Sequence, residues 1–428
     1  MEASAQNWAV VTQTPDPGKA AFLSEILNFA DLGPALLLVL LAGVIADRVN
    51  TRRWLLVLQC AACLLGAGLA LTAYLGWASP WVVIWFTAAE GIVWALNGPP
   101  WISVVPRLVP REELPTAIAA NSAQFNLARL LGPFIAGIVI ARVSIAAAFT
   151  VNALTFIPVF YALWRLPNEP APATPVARRP LLEDLGTGLK IVATHKGLRR
   201  LSIMSITFMF LIAPLQGLLA IYVRTVIPGG ESSLYGTLLG GIGLGAFVGA
   251  LTITRIPAYY PRHHLIPIAM ALAAAATVAF SFTTWPPACF AIIAVVGYFF
   301  MLSLNSANAA NQLLASDASR GRVMSVMLLC NQGAAPLGHL FAAGLTHLMS
   351  PPMVIRSMAG TLLIIALYYV MRREPAIDAM EPLSRKPGVW AAIVEALTAQ
   401  SHRRVPTAVQ EQIAQQPGTP SDITPHAN

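Results

Sequence analysis

Long apolar runs broken by short polar stretches set the pattern of this chain. A helix that crosses a bilayer needs about 20 apolar residues, and most of the runs have that length. They predict helices over residues 19–47, 54–74, 80–102, 116–141 and 145–164, then 201–223, 234–256, 265–282, 288–313, 322–349 and 353–371. Residues 1–13 are too few to span, but Gln6, Asn7, Trp8, Ala9, Val10 and Val11 read as the outer half of a further helix. Residues 165–200 are rich in proline and charge, with an amphipathic piece at 181–192. From 372 the chain turns polar and proline-rich, and Trp390, Ile393, Val394 and Leu397 keep helical spacing, the mark of one short surface helix.

The halves repeat weakly. Arg129 to Gly137, with Gly132 and Pro133, parallels Gly333, Pro336 and Gly338, and both segments follow a charged turn. A glycine-rich helix from Gly236 to Gly249 parallels the helix that ends near Asp47. The expected organisation is an N-terminal bundle, 1–166, a cytoplasmic linker, 167–200, a C-terminal bundle, 201–371, and a cytoplasmic tail, 372–428. The fold class is all-α, a polytopic membrane protein.

Composition agrees. Of 428 residues, 56% are hydrophobic and 11% charged, against about 25% charged in soluble proteins; mean hydropathy is +0.65. The net charge of +8 needs no nucleic acid, because cationic loops facing an anionic leaflet produce it. Lys19, Arg142, Arg224 and Arg356 fall at one set of helix ends, Arg129 falls in mid-membrane, and the remaining Lys and Arg lie in the opposite loops, linker and tail. That bias puts both termini in the cytoplasm. Met1 is followed by Glu2 with no basic run, so no cleavable signal peptide is expected. Cys60-Ala-Ala-Cys63 lies in an apolar run without a βαβ context and reads as small-residue packing, not redox chemistry.

Ionisable groups inside a bilayer cost about 2.5–3.5 kcal/mol each on insertion scales, so those present need a reason. Ser24, Asn28 and Asp31 share one helix face, with Glu25 nearer the outside; Glu90, Trp94 and Asn97 share another. Ser122, Asn126 and Arg129 make a third stripe, and Asn305, Asn308 and Gln312 a fourth. Asp31 or Glu90 can take and release a proton, with Arg129 biasing the nearer carboxylate. The alternative is a static ion pair of Arg129 with either carboxylate. His263 and His264 read as solvated loop residues, and His339 and His347 as polar packing ahead of the alternative, proton sites. No nucleotide-binding loop, H-E-x-x-H or T-V-G-Y-G occurs in the sequence, so no enzyme, cofactor or metal is expected and the energy must come from a gradient.

Gly43-Val-Ile-Ala-Asp47-Arg48, followed by Arg52 and Arg53, stands between two apolar runs. It resembles the G-x-x-x-D-R signature of the major facilitator superfamily. Asn50 replaces a second glycine of that signature; asparagine tolerates left-handed backbone, so the turn is retained. The resemblance implies two pseudo-symmetric six-helix bundles, with the start of the first helix missing here. It also implies a cavity lined by helices 1, 4, 7 and 10, hence by Asn7, Trp8, Glu90, Trp94, Asn97, Gln216, Asn305 and Asn308. Asp47 would form a cytoplasmic gate against the helix start that bears Arg320 and Arg322. Ala128 to Gly137 resembles the superfamily's antiporter signature through Gly132, Pro133 and Gly137, with Ala128 and Ala136 in place of glycines. Residues 109–118 and 320–325 look like the enterobactin-exporter and macrolide-efflux branch. The implied activity is proton-coupled export of an amphipathic drug or siderophore by a plasma-membrane monomer, with protons and the bilayer as partners. A lipid flippase of the same fold and a non-transporting membrane scaffold are the alternatives.

Overall fold

The computed structural model describes residues 2–46, 49–108, 110, 113–166, 181–256, 262–316 and 319–372; within parts of α2, α4, α5, α7 and α10 it describes the backbone alone. In chain order the helices are α1 (Glu2–Gln13), α2 (Pro17–Ala46), α3 (Thr51–Tyr74), α4 (Pro80–Leu108), α5 (Leu114–Arg142), α6 (Ile145–Arg165) and α7 (Leu181–Thr194). Then come α8 (Lys196–Ile212), α9 (Pro214–Val226), α10 (Ser232–Arg255), α11 (Arg262–Phe280), α12 (Pro286–Leu314), α13 (Arg320–Leu345) and α14 (Pro351–Arg372). Among the described residues, eight helical spans are long and apolar enough to cross a bilayer. The chain is an all-α, multi-pass membrane protein. The surface helix expected near Trp390 lies outside the described residues.

Local chemistry sets the helix ends. Ser144 caps α6, its hydroxyl accepting the Ala147 N–H at 3.0 Å, and Pro80 and Pro286 open α4 and α12, where a missing N–H costs nothing. Asn50 does not use the left-handed backbone that asparagine tolerates. It is extended, with φ −64° and ψ 112°, and its side-chain oxygen accepts the Arg53 N–H at 3.0 Å. Asparagine serves here as the N-cap of α3, a role that satisfies a helix donor and needs no glycine-like turn.

The run predicted as one helix over 201–223 is two, α8 and α9, divided at Ala213–Pro214. Pro214 has no N–H for the carbonyl of Phe210, four residues back, so the helical ladder is interrupted there. Gly338 of α13 packs on that same carbonyl, so closely that a Cβ at 338 would collide with it.

Connections gather at one end of the molecule. Arg224 at the end of α9 donates to the carbonyls of Val11, in the last turn of α1, and Thr14, in the α1–α2 turn, the second at 2.9 Å. Tyr222 Oη lies 3.0 Å from the carbonyl oxygen of Phe280 at the end of α11. The α1–α2, α3–α4 and α5–α6 turns line one common cleft, through Gln13, Gly76 and Ser144. At this α1–α2 end the first six helices meet the later ones. Trp8 stacks on Tyr235, ring centroids 5.6 Å apart. Here too α5 crosses α10 at Gly137 and Gly236: a Cβ at 236 would stand 2.7 Å from the Gly137 Cα and from the Pro133 carbonyl oxygen. Small residues let helices approach this closely in a bilayer.

Leucine at 137 or at 236 therefore has to push two backbones apart, and overpacking of this kind costs about 1–3 kcal/mol. Each variant should melt at lower temperature than the parent in detergent. Gly360→Leu, where an added Cβ would meet nothing within 4 Å, should melt as the parent does.

Candidate functional site

Polar side chains carried inward by the apolar helices meet in two places. The first lies between α1, α4 and α6. Glu2 and Gln6 are one turn apart on α1 and share a face. Gln6 Nε2 donates to Glu90 Oε2 on α4 at 2.7 Å. Asn152 on α6 donates its amide to the Glu2 carboxyl. Glu2 Oε1 and Glu90 Oε1 are buried and have no hydrogen-bond partner among the described residues, and the two carboxyls are neighbours. Two buried neighbouring carboxyls disfavour double ionisation, so this is a place where a proton can reside.

The second place lies between α1, α2, α9 and α13. Asn7 Oδ1 accepts from Asn28 Nδ2 at 3.0 Å and lies 2.6 Å from Ser24 Oγ. The same hydroxyl is 2.8 Å from the Gly217 carbonyl oxygen of α9. The next residue on α2, Glu25, is fully buried, with Oε2 2.7 Å from Nδ1 of the buried His339 on α13. Gly217 leaves the room this carboxyl occupies, for a Cβ there would strike it.

Of the residues singled out in the sequence, Asn7, Asn28 and Glu90 belong to these clusters. Asp31 is half-buried on α2, and its backbone carbonyl is the contact point for Gly91 of α4. Trp8 is buried against Tyr235. Trp94 and Gln216 are exposed; Asn97, Asn305 and Asn308 are half-buried. Asn97 Oδ1 and both amide atoms of the buried Asn311 are enclosed and have no hydrogen-bond partner among the described residues. Arg52 ties the start of α3 to the end of α6, its Nε donating to the Leu163 carbonyl at 3.2 Å. Arg53 and Arg320 are exposed and Arg322 is half-buried. Gly132 and Pro133 are half-buried in α5, and Gly137 is the crossing point with α10. Gly43 falls on the helical backbone of α2; Asp47, Arg48 and the side chains of Asn126 and Arg129 lie outside the described residues.

Glu2, Gln6 and Asn152 were not singled out. Glu2 and Gln6 carry the same four-residue spacing that marked the other stripes, so the signal was present. Asn152 gave none. His339 was read as packing, and the structure gives it an acidic partner 314 positions away.

Residues 4–416 match the family model described as transmembrane secretion effector. The staphyloferrin A transporter of Staphylococcus aureus is 24% identical over 380 residues, covering 86% of this chain and 91% of that protein. The multidrug efflux pump Tap of Mycobacterium tuberculosis is 26% identical over 347 residues, covering 79% and 81%. Among solved structures, the nucleoside transporter NupG superposes with a TM-score of 0.63 at 11% identity, covering 86% of this chain and 97% of that one. An inward-facing bacterial homologue of the human lysosomal transporter Spinster gives 0.58 at 15% identity, covering 88% and 93%.

Asn7 Oδ1 accepts from two residues of α2, and its loss leaves Ser24 with the Gly217 carbonyl and Asn28 with the Ser24 carbonyl as their remaining acceptors. Asn7→Leu should lower the melting temperature of the purified protein more than Asn308→Leu does, since Asn308 is only half-buried.

Proposed function

The chain belongs to the transmembrane secretion effector family of the major facilitator superfamily, and on that premise we propose that it exports an amphipathic small molecule, a drug or a siderophore, in exchange for protons. The observation that carries the reading is the cluster of Glu2, Gln6, Glu90 and Asn152. It sets two carboxyls facing each other among helices of membrane-spanning character, where each ionisable group costs about 2.5–3.5 kcal/mol on insertion scales. Groups kept at that expense are the ones that exchange protons or hold polar cargo. Resemblance to a siderophore transporter and to a multidrug pump supports export of a small molecule.

The transporter works in the plasma membrane with both termini in the cytoplasm, so the α1–α2 end faces outside. Two bundles, 1–166 and 201–371, rock against each other about a mid-membrane cavity. Contacts between the first six helices and the later ones at the α1–α2 end, through Arg224, Trp8 and Gly137, fit a state closed to the outside. Asp31 and Glu90 take up and release the coupling proton, and Arg129 biases the carboxylate nearest it. Asn7, Asn28, Asn97, Asn126, Gln216, Asn305 and Asn308 offer donors and acceptors to the cargo. On the cytoplasmic side Asp47 closes against the start of α13, where Arg320 and Arg322 stand, with the helix dipole adding to the charge.

Asp31→Asn and Glu90→Gln should each remove the dependence of export on a pH gradient, read as efflux of amphipathic dyes and carboxylate siderophores from vesicles with an imposed gradient. Unchanged gradient dependence in both variants would overturn the coupling. Asp47→Asn should slow export a few-fold, the size expected from losing a charge–dipole lock of about 1 kcal/mol. Its melting temperature should stay at the parent value, and normal export would count against the gate.

A further inference from the structure

Proton exchange at Asp31 and Glu90 leaves one buried acid–base pair unexplained. Glu25 is 0% exposed and His339 is 2% exposed, and with 2.7 Å between Oε2 and Nδ1 a hydrogen lies between the two atoms. A buried pair is held best in the form with no net charge. That form contains one proton, as imidazolium with carboxylate or as imidazole with carboxylic acid. Among the described residues Glu25 Oε1 has no hydrogen-bond partner, and the histidine is the basic group that meets this carboxyl. The position is as telling as the chemistry. Glu25 stands on α2, among the first six helices, while His339 and Gly217, which closes over the carboxyl, stand on α13 and α9. The neighbouring bond from Ser24 to the Gly217 carbonyl, and the rings of Phe22 and His347 with centroids 4.8 Å apart, join the same two groups of helices.

Among the described residues, other ionisable groups on the surrounding helices are engaged elsewhere or stand away from the pair. Arg224 of α9 binds the Thr14 carbonyl of the α1–α2 turn, and Arg356 of α14 binds Ser281. His347, in the turn after α13, packs on Phe22. Glu2 of α1 and Glu90 of α4 face each other. Asp31 lies further along α2, within electrostatic reach of His339.

We propose that Glu25 and His339 form a second proton site, one whose single proton latches the outer end shut. The inference rests on the outward orientation and alternating access of the reading above. When the outer ends part, water reaches both groups. In water an imidazolium loses its proton near pH 6.5 and a carboxylic acid near 4.3. Above neutral pH the opened pair therefore gives its proton to water and is left as imidazole and carboxylate. Closing again must take one proton back from the outer solution. A one-proton difference makes the closed-to-open ratio fall by up to about tenfold for each pH unit above neutral, and below about pH 6 the ratio levels off. Alkaline solution thus opens the latch, and mildly acidic solution holds it.

The latch can be read without any substrate. Spin labels are placed through Ser79→Cys and Thr284→Cys, both exposed positions in turns of the α1–α2 end, in a background lacking Cys60, Cys63, Cys289 and Cys330. Distances are measured in lipid nanodiscs between pH 6.5 and 8.5. The parent should gain a longer-distance population as pH rises. Glu25→Gln and His339→Gln should lose that dependence. The exchange variant, Glu25→His with His339→Glu, restores one acid and one base and should recover it, which guards against a single variant that fails to fold. A parent that does not titrate, single variants that titrate like the parent, or an exchange variant that stays flat would each overturn the latch. No gradient or cargo enters the measurement, so failure of proton-driven efflux would overturn antiport separately.

Discussion

A bilayer core holds no water for a polar group to bond, and that constraint organises the interior of this transporter. Short hydroxyl side chains meet it inside their own helix. Thr87 bonds back to the Val83 carbonyl at 2.9 Å, and Thr277 to the Ala273 carbonyl at 2.8 Å. Longer side chains with more polar atoms find partners on another helix as well. Gln6 with Glu90, Asn152 with Glu2, Asn28 with Asn7, and Glu25 with His339 are the outcome. The polar residues consequently gather into clusters, and each cluster fixes how particular helices are turned towards one another.

The same constraint applies to the backbone. Pro214 frees the Phe210 carbonyl inside a stretch that is otherwise continuous helix. Gly338 of α13 fits against that carbonyl, and α9 starts afresh beyond the break, carrying Gly217 to Ser24 and Glu25. A side chain at 217 or 338 would enlarge a contact that depends on bare backbone. The break, the two glycines and the acid–base pair are therefore one structural unit, assembled from α2, α8, α9 and α13.

The helices were legible in the sequence because apolar length is a local property; their ends moved by only a few residues, as with 145–164 against Ile145–Arg165. The division at Pro214 was legible too, since the proline lies in the predicted run, but hydrophobicity alone does not weigh a missing N–H. Asn50 shows the converse: the motif located a turn, and the residue's own capping chemistry decided its conformation. Of the candidate site, stripes on single helices pointed to Asn28 and Glu90, and the family resemblance to Asn7. Partners across helices did not show, because helical spacing says which residues share a face and nothing about what that face meets. Glu25 and His339 looked like an outer acid and a packing histidine for that reason.

The two clusters differ in what a proton can do. Glu2, Gln6, Glu90 and Asn152 sit on α1, α4 and α6, all among the first six helices. A change of charge there alters the field inside one group of helices and the polarity it presents to cargo, without breaking a bond to the other group. Ser24, Glu25, Gly217 and His339 are divided between α2 on one side and α9 and α13 on the other. A change of charge there acts on the contact itself, and only movement of one group against the other can solvate the buried carboxyl. A transporter that ties cargo to protons needs both actions: an altered site and an altered gate. In the proposed exchange they fall on different residues, joined through α1 and α2, where Asn7, which accepts from Ser24 and Asn28, directly follows Gln6. Coupling between them then needs no long-range relay, because α1 carries one face of each cluster.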